Sequence, residues 1–282
     1  MTRLPARLLD SPLDRTVASR WAAVRSTLNG PVVTRFAPSP TGVLHEGHLL
    51  HLAWIGELAR LTGARVIVRM EDHDATRCRP EYERAILDEL ERSGLEVDHA
   101  SLASLRSGAP SPYRQGDNPE RYRAAFERLR EMGLLYGCTC TRSALGPPDE
   151  FGERHYPGTC RGQPIDREGK HVVRLMLPDE ATEVEDLLHG TIRQHPLRDH
   201  GDPVIRDALG QWTYQLCVVV DDTVHGVNLV IRGNDLVTST GRQLLLARLL
   251  GRTEPIVTAH HPLLLDGEGK KISKRGVLSH ES

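Results

Sequence analysis

Arg35-Phe-Ala-Pro-Ser-Pro-Thr-Gly-Val-Leu-His-Glu-Gly-His48 is the stretch of sequence that decides the fold. Val32, Val33 and Phe36 form a short apolar run at its start, and prolines and a glycine follow at once. An apolar run of this length that ends in residues that break regular structure is typical of a buried strand. We therefore predict a strand that delivers the chain into a loop just before the two histidines.

A helical pattern follows this loop. Apolar residues recur at helical spacing from about His45 to Leu61, and Gly63 is placed to end the helix. Residues 64–70 then predict a second strand. A strand, a helix and a strand in this order form the unit of a doubly wound α/β fold, whose ligands bind at the carboxyl ends of the strands.

His45 and His48 are three residues apart, so both imidazoles lie on one face of the first helical turn. Free backbone N–H groups and the positive end of the helix dipole favour a phosphate there, and Gly47 lets a nucleotide approach the backbone. Two alternatives stay open from these residues alone: surface histidines at an ordinary helix start, or a metal-binding pair suggested by the His-Glu-x-His string. We expect the Glu46 carboxylate to point outward, away from a triphosphate.

A second segment near the end of the chain reads Lys270-Lys-Ile-Ser-Lys-Arg275. It follows Gly267 and Gly269, which favour a mobile loop, and a strand-like stretch at residues 256–260. Taken alone, a lysine-rich run of this kind is typical of a solvated surface.

Together the two segments resemble the His-x-Gly-His and Lys-x-Ser-Lys motifs of class I aminoacyl-tRNA synthetases, and the residues before His45 resemble the glutamate-specific branch. The resemblance implies a Rossmann-type doubly wound parallel sheet with a small zinc-binding insertion, and activation of L-glutamate with ATP and Mg²⁺. It assigns ATP binding to His45, Gly47, His48, Lys271, Ser273 and Lys274. It assigns catalysis to His45, His48 and Lys274, because the last lysine neutralises the triphosphate as pyrophosphate leaves. Glu46 and Arg275 depart from the usual motif residues.

Charged residues stand at the predicted strand ends between the two motifs. Glu71 follows the strand that ends at Met70, and its carboxylate could hold an ammonium group. Residues 214–222 predict a buried strand that runs into an acidic turn, and residues 229–235 predict another strand with Arg232 at its end. An arginine can grip a carboxylate with two parallel hydrogen bonds. Two core strands with charged ends are the plainer alternative.

The resemblance places a glutamate pocket at six positions. They are Arg35, Ala37, Ser39, Glu71, Tyr214 and Arg232. In this assignment Arg35 and Arg232 face the substrate carboxylates, and Glu71 faces the ammonium group. Two arginines against one glutamate suit a substrate with two carboxylates and one amine, which favours glutamate over glutamine.

The five cysteines do not indicate a disulfide framework, because their number is odd and no secretory signal is visible. Cys138, Cys140 and Cys160 are close in sequence and could supply three thiolates to a tetrahedral zinc ion, although three buried thiols without a metal fit the spacing too. A shortened group within the glutamate branch, the glutamyl-queuosine tRNA(Asp) synthetases, carries a zinc site at this place. The resemblance therefore implies one structural zinc per chain with Tyr156 as the fourth ligand. His155 competes for that position.

The composition sets bounds on partners and compartment. A chain of 282 residues with a formal net charge of −2 has no global attraction for nucleic acid, so a tRNA must bind a local basic surface. No apolar run approaches about twenty residues, the length of a membrane span, and no secretory signal is visible. We expect a cytoplasmic monomer that does not bind membranes.

Residues 1–30 form an N-terminal extension before the first strand. Its apolar residues recur at helical spacing: Leu13, Val17, Trp21, Val24 and Leu28. This spacing predicts an amphipathic helix over residues 14–28. The arginines suggest a transit peptide instead, but Asp10 and Asp14 count against it. We favour a helix packed on the catalytic domain.

The rest of the chain divides into three predicted parts. Residues 31–110 are the first half of the catalytic domain, residues 111–200 are an insertion that includes the zinc region, and residues 201–282 are the second half with the lysine loop. The chain ends seven residues after Arg275, so we expect no anticodon-binding domain. This arrangement resembles the glutamyl-queuosine tRNA(Asp) synthetases and implies transfer of glutamate to the queuosine base of tRNA(Asp).

Three other functions stay open. The protein could pass glutamate to another tRNA or to a non-tRNA acceptor, it could bind RNA without catalysis, or it could be a zinc-binding interaction module with vestigial nucleotide motifs. Formation of an adenylate with glutamate separates the first of these from the other two.

Overall fold

The computed structural model describes residues 11–149, 152–165 and 170–264. Its helices are α1 (Ser11–Val24), α2 (Glu46–Thr62), α3 (Pro80–Ser93), α4 (His99–Arg106), α5 (Pro119–Glu131), α6 (Pro196–His200), α7 (Tyr214–Val224) and α8 (Thr240–Leu249). Its strands are β1 (Val33–Phe36), β2 (Arg65–Val68), β3 (Leu135–Cys138), β4 (Val172–Leu175), β5 (Thr182–Asp186), β6 (Gly190–Gln194), β7 (Val204–Arg206), β8 (Leu229–Gly233) and β9 (Val257–His261). The predictions for residues 1–10 and for the Lys270–Arg275 loop, with Lys271, Ser273 and Lys274, lie outside the described residues.

The central sheet is built mainly from parallel strands. β1 pairs with β2, and β9 pairs with both β8 and β5, all in parallel. β8 lies beside β1, where the Asn228 side chain accepts the Val33 N–H at 2.9 Å and the Asn228 N–H donates to the Val33 carbonyl at 3.1 Å. The two-stranded and four-stranded hydrogen-bonded sheets therefore lie side by side in the order β2, β1, β8, β9, β5, with β6 antiparallel at the edge. This order confirms the predicted doubly wound α/β fold.

The predicted strand, helix and strand unit is confirmed. β1 and β2 flank α2, and Gly63 ends α2 in the left-handed conformation with φ 68°, which a residue without a side chain adopts at no steric cost. Because β1 has β2 on one side and β8 on the other, the strand order reverses at β1. Ligands of doubly wound folds bind at such a reversal point.

The N-terminal helix was predicted at the right place. α1 is followed by a short 3₁₀ turn at Arg25–Thr27, and Val17, Trp21, Val24 and Leu28 are buried. They share one apolar core with residues of α2, α3 and the central sheet. The helix therefore packs on the doubly wound domain.

The predicted strand at residues 214–222 is wrong, because these residues form most of α7. Leu216 to Val220 are all buried, since α7 packs against α5, α8 and β7. A helix that is enclosed on all sides shows the same uninterrupted apolar run as a buried strand, so periodicity could not separate them. The predicted strands at residues 229–232 and 256–260 are present as β8 and β9.

A second, antiparallel sheet has the order β3, β4, β7. It carries the cysteine region at the end of β3. The insertion predicted for residues 111–200 is not one continuous unit, because β5 and β6 lie within that range and join the central sheet. β7 lies beyond residue 200 and pairs with β4. Among the described helices, none is both long enough and apolar enough to span a membrane.

Candidate functional site

Three buried arginines and two buried carboxylates meet at the carboxyl ends of β1, β2 and β8. The Arg35 Nε donates to Asp222 Oδ1 at 3.2 Å. Arg69 donates to the same oxygen at 2.7 Å and to Glu71 Oε1 at 2.9 Å. Arg232 lies on β8, and all five side chains are buried. The structure thus joins residues from two strands, one strand end and α7 in one charged cluster.

Asp222 and Arg69 hold each other in the charged state. Burial opposes ionisation of Asp222, but Arg35 and Arg69 lower the pKa of its carboxyl group below the usual value. Burial likewise opposes the charge on Arg69, but Asp222 and Glu71 raise its pKa. The charge of Arg69 is therefore compensated inside the protein.

Arg232 has a different environment. Its Nε donates to His260 Nε2 at 3.0 Å, and its terminal nitrogens donate to Gln243 Oε1 at 2.6 Å and to Thr240 Oγ1 at 2.8 Å. All three acceptors are neutral, and no carboxylate of the described residues lies within 4.0 Å of the guanidinium. Burial, together with the nearby Arg35, lowers the pKa of Arg232, while Tyr214 and the more distant Asp222 counteract only part of this shift.

The other predicted pocket residues lie around this cluster. Tyr214, at the start of α7, lies against the Arg232 guanidinium. Ala37 and Ser39 are half-buried in the loop after β1. The Glu71 N–H donates to the Pro38 carbonyl at 2.9 Å, so this loop lies beside Glu71.

His45 and His48 form the amino-terminal cap of α2. His45 Nδ1 accepts the Gly47 N–H at 3.1 Å, and His48 Nδ1 accepts the His45 N–H at 3.2 Å. Because each Nδ1 is an acceptor, each neutral ring carries its proton on Nε2. The two rings lie 4.0 Å apart, and Glu46 is exposed, as expected.

A cavity of about 250 Å³ connects these histidines with Arg232. His45, Gly47 and His48 line one side, and Arg232, Gly233 and His261 line the other. The cavity therefore lies between the start of α2 and the ends of β8 and β9, where a doubly wound fold binds nucleotides.

Two further residues line this cavity and were not predicted from the sequence, His51 and His261. His51 Nδ1 lies 2.9 Å from His261 Nε2, and the His261 ring stacks on Trp54 with 6° between the planes. Burial first, and then the neighbouring His261 and Arg35, lower the pKa of His51 well below its usual value. The two rings form one wall of the cavity.

Three thiols meet at the end of β3. The sulfur atoms of Cys138, Cys140 and Cys160 all lie within 4.8 Å of one another, and those of Cys140 and Cys160 are 3.7 Å apart. Tetrahedral zinc with zinc–sulfur bonds of about 2.3 Å requires sulfur–sulfur distances of about 3.8 Å. Burial and the neighbouring thiols raise the pKa of Cys140 to about 11. A bound cation would reverse that shift.

Tyr156, rather than His155, reaches the thiol cluster. The Tyr156 hydroxyl accepts the Cys160 N–H at 2.8 Å and interacts with Cys138. His155 is exposed, and its Nδ1 lies 3.3 Å from the Asp199 carbonyl. Gly201 allows the Tyr156 backbone to approach, since a Cβ at this position would lie 2.1 Å from the Tyr156 carbonyl oxygen.

Sequence reasoning missed Arg69, Asp222, Asp186 and His260. Arg69 lies at the end of a continuous apolar run, and a charged residue at such a buried position is a usable signal. Asp222 was seen only as part of an acidic turn. Asp186 and His260 gave no signal, because their partners lie far away in the chain.

Comparison with known proteins gives a family and close relatives. The model of the catalytic domain of class I tRNA synthetases (E and Q) matches residues 31–280. A Thiobacillus denitrificans protein named glutamyl-Q tRNA(Asp) synthetase is 41% identical over 246 residues, which cover 86% of this chain and 77% of the relative. A Geobacter sulfurreducens protein of the same name is 41% identical over 258 residues, which cover 89% and 78%.

A solved structure supports the fold. The chain is similar to the crystal structure of a glutamate tRNA ligase from Elizabethkingia meningosepticum, with a TM-score of 0.69 and 26% identity over 90% of this chain. The chain spans about half of that protein, since the match covers 54% of it.

Proposed function

The chain belongs to the class I tRNA synthetases for glutamate and glutamine, and on this premise we propose that it activates L-glutamate with ATP and transfers it to the queuosine base of tRNA(Asp). In the first step a glutamate carboxylate oxygen attacks the α-phosphorus of ATP, and pyrophosphate leaves. In the second step a queuosine hydroxyl attacks the activated carbonyl, and AMP leaves. Neither step needs a protein nucleophile, so the protein supplies position and charge.

The observation that carries this proposal is the environment of Arg232. Within the described part of the chain, the buried Arg232 guanidinium has no carboxylate in direct contact that would compensate its desolvation. It also borders the cavity that His45 and His48 line. A substrate carboxylate would supply the missing charge, with Tyr214 beside it.

The charge balance of the cluster favours glutamate over glutamine. Arg35, Arg69 and Arg232 face Asp222 and Glu71, which leaves one positive charge in excess. Glutamate carries one net negative charge at neutral pH, and glutamine carries none. The count from sequence, two arginines against one glutamate, gives the same excess although it omitted Arg69 and Asp222.

The remaining pocket residues take the roles that the family resemblance gives them. Glu71 uses one carboxylate oxygen on Arg69 and offers the other to the substrate ammonium. Arg35 faces a substrate carboxylate, and Ala37 and Ser39 line the loop between Arg35 and Glu71.

ATP, with its Mg²⁺, binds at the start of α2. The neutral His45 and His48 present Nε2–H donors to phosphate oxygens, and Gly47 allows close approach. The ATP site also includes Lys271, Ser273 and Lys274. Lys274 neutralises the charge of the leaving pyrophosphate.

One zinc ion per chain binds Cys138, Cys140, Cys160 and Tyr156. The sulfur spacing and the position of the Tyr156 hydroxyl fit a tetrahedral ion. When bound, the zinc stabilises the fold at the end of β3 and takes no part in the chemistry.

The proposed acceptor is supported by two relatives that share 41% identity with this chain and carry the name glutamyl-Q tRNA(Asp) synthetase. The surface around the cavity at the start of α2 would hold the tRNA. We place the reaction in the cytoplasm, where tRNA is found, and propose a monomer.

Exchange of labelled pyrophosphate into ATP tests the first step. We expect exchange that depends on L-glutamate, with glutamine and aspartate much poorer substrates. Arg232→Gln should lower kcat/KM for glutamate roughly 100- to 1000-fold, because a buried charge pair is lost. Arg198→Gln, which changes an exposed arginine paired with Asp179, is the matched control. Equal exchange with glutamine would refute the pocket assignment.

Transfer to tRNA tests the second step. Labelled glutamate should appear on tRNA(Asp) from cells that make queuosine, and not on tRNA(Asp) that lacks it or on tRNA(Glu). Oxidation of the terminal ribose, carried out after the diol of queuosine has been protected, should not prevent transfer once that diol is released. Glutamate on tRNA(Glu) would refute the acceptor, and rapid adenylate formation without transfer to any tRNA would favour a non-tRNA acceptor.

A further inference from the structure

Arg232 is held by a chain of buried side chains that begins two strands away. Asp186, at the end of β5, contacts His260 on β9, and His260 contacts Arg232 on β8. Arg232 and His260 are direct neighbours in the β8–β9 register. All three residues are buried, and Asp186 and His260 are almost completely so.

Asp186 is fixed as an acceptor by five donors. Its Oδ2 accepts from His260 Nδ1 at 2.7 Å, from Thr258 Oγ1 at 2.8 Å and from the His260 N–H at 3.1 Å. Its Oδ1 accepts the N–H groups of Leu188 and His189, each at 2.9 Å. Burial raises its pKa, but His260 and the other donors outweigh burial and bring the value to about 2. The group is therefore a carboxylate at neutral pH.

The carboxylate sets the tautomer of His260. Because Asp186 can only accept, the proton of the His260 ring lies on Nδ1. On the other side of the ring, the Arg232 guanidinium can only donate, so His260 Nε2 accepts its Nε–H, and the Thr240 hydroxyl, 3.1 Å from the same nitrogen, can donate to it as well. If the imidazole were protonated, its Nε2–H would point at the Arg232 Nε–H, and neither group could accept a hydrogen bond. Burial, reinforced by Arg232, lowers the pKa of His260 to about 4 and keeps the ring neutral.

We propose that His260, fixed by Asp186, is a positioning residue that aims the Arg232 guanidinium at the substrate carboxylate without neutralising its charge. The proposal rests on the proposed function. A carboxylate in direct contact would orient Arg232 equally well, but it would also compensate the charge that the substrate needs. The imidazole separates these two effects, because it accepts the Nε–H without carrying a negative charge.

Two substitutions of His260 test its contact with Asp186 and its contact with Arg232 separately. In His260→Asn the side chain still reaches Asp186 but is too short to accept the Arg232 Nε–H. In His260→Gln the amide oxygen can occupy the place of Nε2. We expect His260→Asn to raise KM for glutamate about 10- to 100-fold in pyrophosphate exchange, and His260→Gln to stay within about fivefold of the wild type. KM for ATP should change less than about threefold in both.

His189→Ala is the matched control. His189 Nε2 lies 2.9 Å from the His260 carbonyl oxygen, so this substitution removes a contact with the same residue but leaves the imidazole network intact. Its KM for glutamate should equal that of the wild type. A soluble His260→Asn protein with an unchanged KM for glutamate would overturn the proposal. Equal increases of KM for ATP and for glutamate would assign His260 a merely structural role.

The tautomer of His260 can be measured without any activity. In protein labelled with ¹⁵N-histidine, the His260 signals are those lost in His260→Gln, and they should report a protonated Nδ1 and a bare Nε2 at pH 7. A proton on Nε2 would overturn the proposal even if the asparagine variant did not fold. If the wild type shows no exchange with glutamate but has the expected tautomer, the proposed function fails while the hydrogen-bond relay stands.

Discussion

At the scale of single residues, Arg69 and Arg232 are both buried arginines, but their partners differ in charge. Arg69 contacts two carboxylates, Asp222 and Glu71, and its charge is compensated inside the protein. Arg232 contacts neutral side chains only, as far as the described residues extend. Because a buried charge without a partner is costly, Arg69 is a structural residue and Arg232 is suited to bind an anion.

Asp222 is the residue whose loss should destabilise the fold most within this cluster. Asp222→Asn would leave both Arg35 and Arg69 without their shared charged acceptor, and removing one partner of a buried ion pair typically costs about 3–5 kcal/mol. We expect a clearly lower midpoint in urea denaturation at pH 7. Asp179→Asn, which changes an exposed carboxylate paired with Arg198, should keep the wild-type midpoint. Similar midpoints for the two variants would contradict this reading of the cluster.

The sequence predicts some of these residues and not others for a physical reason. Arg35 and Arg232 follow short apolar runs, so their positions at strand ends are readable. His260 lies within a strand and contacts Asp186, 74 residues away, and no local pattern reports such a contact. Long-range polar partners can be found only once the strand order is known.

At the scale of elements, the helical form of α7 decides where its two adjacent carboxylates, Asp221 and Asp222, point. Along a helix, successive side chains point about 100° apart. Asp221 therefore faces Gln115 and Tyr122, with Oδ2 accepting at 2.9 Å and 2.8 Å, while the next residue, Asp222, faces the arginine cluster. A strand would have placed the two carboxylates on opposite faces of the sheet.

The proposed zinc site links β3 to the segment that carries Tyr156 and Cys160. We expect one zinc ion per chain in protein purified without added metal. Tyr156→Phe should lose most of this zinc, because the variant keeps the ring but removes the oxygen ligand. His155→Ala should keep it, because His155 lies outside the thiol cluster. Metal analysis is the measurement, and a folded, active sample almost free of zinc would rule out the site. Zinc retained in Tyr156→Phe but lost when His155 is also removed would reassign the fourth ligand.

At the scale of the whole molecule, the strand order brings distant segments to one place. Arg35 and Arg232 are separated by almost two hundred residues, yet β1 and β8 lie side by side. The doubly wound fold was predictable from the first strand, helix and strand, and the order of the later strands was not. That order follows from contacts between remote segments, such as Asn228 with Val33, rather than from local propensity.

The buried histidines should make the whole fold sensitive to acid. Burial first, and then nearby positive groups, lower the pKa of His225 and His260 to about 4, from an ordinary value of 6.5. Between these values the unfolded chain binds protons that the folded chain does not, so the free energy of unfolding falls as the pH drops from about 6.5 to about 4. Below about pH 4, protonation of Asp186 continues the loss, since its folded pKa of about 2 is below the usual value.

Urea denaturation between pH 7 and pH 4.5 tests this prediction, with His225→Gln as the informative variant. Removing His225 removes one of the titrating groups, so the midpoint of this variant should fall less steeply with decreasing pH than that of the wild type. His99→Gln, which changes an exposed histidine at the start of α4, should keep the wild-type slope. Because release of zinc from its thiolates would contribute equally to all three proteins, the difference between their slopes isolates the histidine. Three identical slopes would show that His225 does not stay neutral in the folded protein.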